Sequence, residues 1–217
     1  MSEFYSVERL KTFTRKFCVL FSCVLYVSYV SKSVNIYSFS QEIRLYIDAY
    51  FLDEFQVYSK LIAIIVSSVE FILSILLLCN KYFRIAIISL FVTMSFFLYL
   101  TGVNLFFPTI LGSIESCGCF GELIHFSPSA SFIKSVVLWV LSIVLVVYSW
   151  HERWNVSMLL KDRYLYICIA TSVMLPLYSI WFFEALSHTV YIIGFVVLVV
   201  ILTGNIIVWR VKQMSKE

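Results

Sequence analysis

Six continuous apolar stretches, at approximately Phe17–Val34, Leu61–Cys79, Ile85–Val103, Ser135–Trp150, Tyr164–Phe182 and Val190–Trp209, leave this chain few folds to choose from. Crossing ~30 Å of hydrocarbon at 1.5 Å per residue takes ~20 residues, and most of the stretches approach that length. The fourth is the shortest, and Lys134 just before it can lengthen it by carrying its ammonium to the interface while its methylenes stay in lipid. Of the 217 residues, 61% are hydrophobic and 13% charged, more apolar surface than a soluble domain of this size can hide. With only 6 Gly and 3 Pro the runs are uninterrupted, unlike the short alternating strands of a membrane β-barrel. The expected fold is all-α: a polytopic bundle of six transmembrane helices.

Charge gives the orientation. Arg9, Lys11, Arg15 and Lys16 precede the first stretch, and Lys81 and Arg84 separate the second from the third. Arg153, Lys161 and Arg163 separate the fourth from the fifth, and Arg210, Lys212 and Lys216 follow the sixth; these twelve are most of the 16 basic residues. The positive-inside rule then puts both termini in the cytoplasm. The opposite side carries Glu42, Asp48, Asp53, Glu54, Glu115, Glu122 and Glu184 against Lys32, Arg44, Lys60 and Lys134. A net charge of +3, dispersed over short connections, fits membrane topology and gives no footprint for nucleic acid.

The first stretch has the basic flank of a signal peptide but lacks a small-residue cleavage pattern, and Lys32 sits badly for a peptidase; it is expected to stay on the chain. Between Asn35 and Lys60, apolar residues from Ile36 to Phe51 recur at three- and four-residue spacing, with Gln41, Glu42, Arg44 and Asp48 between them. That pattern predicts an amphipathic helix in the outer interface, serving as a cap over the bundle or as a binding surface.

The most specific local feature is Ser116-Cys117-Gly118-Cys119-Phe120-Gly121-Glu122, in the third connection and extracytoplasmic by the charge argument. Two thiols flanking a glycine can close on each other, because Gly118 accepts the backbone angles a tiny ring imposes. Such a ring is strained and therefore reducible, and Gly121 leaves room for a partner's backbone. A structural staple is a poorer reading, since a bridge across one residue restrains the unfolded chain little. A zinc site is another, but zinc takes four ligands and only His125 offers a third, so no metal is expected. His125 can also act on the thiols through its charge. Cys18, Cys23, Cys79 and Cys168 fall within or at the ends of helices, where Cys serves as a small hydrophobe. They make no second outer pair, which a relay to a quinone would need, and no cofactor is expected.

Glu70 lies midway along the second stretch, where an ionisable group is costly and suggests function. It is expected to be a neutral acid that donates a hydrogen bond between helices, as helix–helix glue or in proton handling. His188 is expected at the outer face and His151 at the inner end of the fourth helix. None of the three histidines lies at mid-membrane to hold a haem inside the bundle.

Cys117-Gly118-Cys119-Phe120-Gly121, ahead of a helix containing Phe132-Ile133-Lys134, resembles the methylamine-utilisation MauE family and the wider DoxX-like membrane proteins. Lys32 and Glu70 fall where that family places a Lys and a Glu. The resemblance covers about the first 150 residues. It implies a four-helix core at residues 1–153 with an external Cys-Gly-Cys loop, to which 154–217 add a hairpin and a cytoplasmic tail. It also implies a bacterial inner-membrane protein in extracytoplasmic thiol–disulfide exchange. A thioredoxin-like partner and the maturation of exported proteins would come with that role. On this reading Cys117 and Cys119 are catalytic, with Gly118, Phe120, Gly121, Glu70, Lys32 and His125 in support. The alternatives are a non-catalytic accessory or assembly subunit, and a small transporter or metal-handling protein. Ser74 departs from the family pattern, standing where a glycine is common.

Overall fold

Backbone groups in lipid have no water to bond, so long apolar runs form helices, which close their hydrogen bonds within the segment. The computed structural model describes residues 2–49, 53–79, 82–107, 127–149, 163–183 and 188–214. Among them every regular element is helical: α1 (Ser2–Val34), α2 (Ile36–Ala49), a 3₁₀ segment (Asp53–Tyr58), α3 (Ser59–Cys79), α4 (Phe83–Phe106), α5 (Pro128–Ser149), α6 (Arg163–Phe182) and α7 (His188–Met214). Five apolar segments are long enough to cross a membrane: Thr14–Val34, Glu54–Cys79, Phe83–Phe106, Pro128–Ser149 and Thr189–Val208. The apolar run of α6, Tyr166–Phe182, is shorter, about 26 Å at 1.5 Å per residue.

Two helix starts differ most from the hydropathy reading. Helix α1 starts within the basic N-terminal segment, at Ser2. Helix α5 starts at Pro128, seven residues before the expected Ser135, because a cap overrides the hydropathy edge. Ser127 Oγ accepts the Ala130 N–H at 3.3 Å, and Pro128 takes the first helical position, where a missing N–H costs nothing. At 22 residues, α5 spans about 33 Å unaided. Lys134 does not extend it: the ammonium nitrogen is buried inside the bundle and does not reach for the interface.

Helices α1 and α3 form the centre. Helix α3 touches α1, α2, α4 and α6, and 56% of its apolar span is inside the protein, against 17% for α7. The two central helices run antiparallel and meet through serines. Ser74 Oγ donates to the Ser22 carbonyl at 2.9 Å, and the two hydroxyl oxygens lie 3.2 Å apart. Small side chains let helices approach in lipid, and the Ser74 hydroxyl finds its partner on α1. Helix α2 lays Ile36, Phe39 and Ile47 inward, with Ile36 and Phe39 in one cluster with Ala63 of α3, and so covers the centre as a cap. Helices α4 and α5 pair through Trp139, whose Nε1–H donates to Ser95 Oγ at 2.9 Å, and through an edge-on contact of Phe106 with Phe132.

The last two helices are tied to this centre by backbone accounting. Pro176 lies inside α6 and has no N–H, so the carbonyl of Ser172, four residues earlier, loses its helical donor. Tyr29 of α1 donates its hydroxyl to that carbonyl at 2.9 Å, and Ser68 of α3 approaches it at 3.4 Å. At the end of α1 the final carbonyls also lack helical partners. Ser179 donates to the carbonyl of Ser33, and Tyr191 of α7 donates to that of Val34 at 2.7 Å. The two α6–α7 hydroxyls are themselves 2.7 Å apart. The hairpin therefore serves as the C-terminal cap of α1.

Tyr29→Phe should lower the unfolding free energy by about 1–3 kcal/mol, the cost of a buried acceptor losing its donor. In a Pro176→Ala background the loss should shrink, because residue 176 then supplies an N–H to the same carbonyl. Thermal unfolding of the purified chain in nanodiscs checks both; equal losses in the two backgrounds would reject the account.

Candidate functional site: a buried ion pair among five helices

Counting from the Ser22–Ser74 contact, Glu70 is level with about Tyr26 on α1. Lys32 starts six residues further along, about 9 Å away. In a helix the Cα–Cβ bond tilts towards the N-terminus, which for Lys32 is towards Glu70. Its long side chain runs inward along α1, and its ammonium donates to Glu70 Oε1. The side chains are 0% and 1% exposed respectively.

Aromatic faces close over the cation. The ammonium lies 4.9 Å from the ring centroids of both Phe39 on α2 and Phe97 on α4, close enough for attraction to the negative ring face. Ser28, one turn before Lys32, reaches the same carboxylate, and Lys134 on α5 attracts it electrostatically. Five helices thus converge on one acid. The expected hydrogen bond between helices is present at Glu70, and its partner is Lys32 of α1. Such a pair is an expensive object to bury; removing one partner strands the other without water.

Lys32 and Glu70, both singled out from the sequence, are brought together. Cys117, Gly118, Cys119, Phe120, Gly121 and His125 lie outside the described residues. Among the described residues Cys18, Cys23, Cys79 and Cys168 form no disulfide, and Cys18 and Cys79 are buried in two separate apolar clusters. Sequence reasoning missed Phe39, Phe97 and Ser28, and missed Lys134 as a member of this site. The signal for Lys134 was the Ser127-Pro128 cap, which starts α5 early enough to carry it into the bundle.

The sequence profile of the family described as Methylamine utilisation protein MauE matches residues 10–148. The chain belongs to the MauE family. The match takes in α2 to α4, nearly all of α5 and most of α1, and so includes the whole converging site and the Cys-Gly-Cys motif. It stops before α6 and α7. Searches of curated proteins and of solved structures found no match. With several helices apolar and long enough to cross a bilayer, this MauE-family chain is a multi-pass membrane protein.

Glu70→Gln and Lys32→Met should each cost about 3–5 kcal/mol of stability, since each leaves one buried charge alone. The double variant should lose much less than the sum, because no stranded charge remains. Denaturant unfolding of the purified protein tests this. Additive losses would show that the two groups do not act as a pair.

Proposed function

We propose that this MauE-family protein takes part in extracytoplasmic thiol–disulfide exchange with a thioredoxin-like protein, supporting the maturation of exported proteins. The observation that carries this reading is Cys117-Gly118-Cys119-Phe120-Gly121, a dithiol motif inside the family match. It stands on the connection between α4 and α5, two helices that both contribute to the site around Lys32 and Glu70. The family description supports a setting in methylamine utilisation. The four-helix core at residues 1–153, of which the family profile matches 10–148, carries the exchange chemistry, and 154–217 brace it.

In the exchange, one thiolate attacks a partner disulfide, forming a mixed disulfide and releasing the partner's second sulfur as a thiolate. The other cysteine then attacks the mixed disulfide, leaving Cys117–Cys119 oxidised and the partner reduced by two electrons. The reverse sequence carries the electrons the other way. Cys117 follows Ser116, whereas Cys119 is flanked closely by Phe120 and Gly121, so Cys117 engages first. The proposed topology has six spans, cytoplasmic termini and the motif outside the inner membrane, supported by the alternation of basic connections.

Cys119→Ser should accumulate a reducible higher-mass adduct with an extracytoplasmic thioredoxin-like protein, and Cys117→Ser should not. The adduct in the opposite variant would exchange the two roles. No adduct in either, with full function in the double variant, would replace this reading with that of an accessory subunit whose Cys loop is a docking turn. For topology, an impermeant thiol reagent applied to reduced, outer-membrane-permeabilised cells should label Cys117 or Cys119 and spare Cys79. The reverse pattern would overturn both topology and site.

A further inference from the structure

Where α1, α3, α4 and α5 face one another, packing leaves a cavity of about 30 Å³ whose walls include Ser28, Glu70, Met94, Phe97, Lys134 and Ser135. That is room for about two waters. Lys32 occupies Glu70 Oε1, while Oε2 is equally buried and accepts no hydrogen bond. A carboxylate oxygen bare of donors at this depth is among the costliest states a polar atom can hold. On another wall stands Lys134, its ammonium nitrogen buried and attracting the same carboxylate. Ser28 and Ser135 add hydroxyls that can donate or accept.

We propose that this cavity is a water site, in which ordered water donates to Glu70 Oε2 and accepts from Lys134, so that one carboxylate serves two lysines. Most of its wall is apolar, and Ser28, Glu70, Lys134 and Ser135 are the four polar side chains that border it. An ammonium has three N–H donors, so the bridge leaves Lys134 free to make other interactions.

Water in this position makes Glu70 a proton-exchanging acid. Lys134 gives a proton to the bridging water as that water gives one of its own to Oε2. The products are a neutral amine, the same water and a neutral acid, and the reverse transfer restores the ions. Lys32 meets Oε1 directly and needs no water, so the bridged route belongs to Lys134. The site stands independently of the thiol chemistry.

The rival is a dry void, since Met94, Phe97 and Leu138 supply apolar wall, and cavities lined only by such groups stay empty. X-ray radiolytic footprinting of the full chain in nanodiscs separates the two, because hydroxyl radicals born from bound water oxidise their immediate neighbours. Met94 is only 4% exposed, but it lines the cavity. It should be oxidised rapidly in the native protein, and Glu70→Leu or Ser135→Val should cut that rate several-fold. Met174, 58% exposed on the outer surface of α6, should stay slow in lipid. If Glu70→Leu does not fold, Ser135→Val carries the comparison. A Met94 that is silent in the native chain and oxidised only after unfolding would establish the dry void. Rapid oxidation undiminished in the folded variants would place the water away from Glu70. Either result overturns the proposal.

Discussion

A lysine and a glutamate cannot both sit in the middle of a membrane protein unless they find each other, and much of this bundle is arranged around that requirement. Lys32 must run inward along α1, so α1 and α3 are held in one register, fixed by Ser22 and Ser74. The cation then needs cover, which Phe39 and Phe97 provide from two further helices. A fifth helix brings Lys134 to the same carboxylate. In lipid the hydrophobic effect does not distinguish one helix–helix contact from another. A buried charge pair does, because alternative registers would leave an ion alone.

Hydrogen bonds from one helix to the backbone of another complete the assembly. The freed Ser172 carbonyl and the last carbonyls of α1 are each acceptors without a helical donor, and hydroxyls of Tyr29, Ser68, Ser179 and Tyr191 supply what is missing. These bonds join α6 and α7 to α1 and α3 by specific geometry.

The helical class and the positions of the long spans were legible because hydropathy needs only local sequence. The pairing of Lys32 with Glu70 was not, although each residue was conspicuous: they are 38 residues apart, and no local pattern states which charges meet. Lys134 was misplaced for a traceable reason. Its depth was judged from a span beginning at Ser135, whereas the Ser127-Pro128 cap, visible in the sequence, starts α5 earlier and carries Lys134 into the bundle. The consequence of Pro176 also escaped, since a proline announces an orphan carbonyl but not the hydroxyls that will take it. For the Cys-Gly-Cys motif, spacing speaks to chemistry within the pair, while its surroundings belong to residues outside those described.

The bonding of Ser172 also bears on how the protein is made. Ribosomes deliver α1 and α3 to the membrane before α6, so Tyr29 and Ser68 are in place when the proline-broken helix leaves the translocon. Until it docks, α6 carries a bare carbonyl in hydrocarbon, a state that insertion alone does not relieve. Docking relieves it, and the same event caps α1. Docking of the hairpin thus completes two sets of backbone bonds at once: a chain truncated before α6 leaves the end of α1 uncapped, and an undocked hairpin presents an unsatisfied polar group to the bilayer.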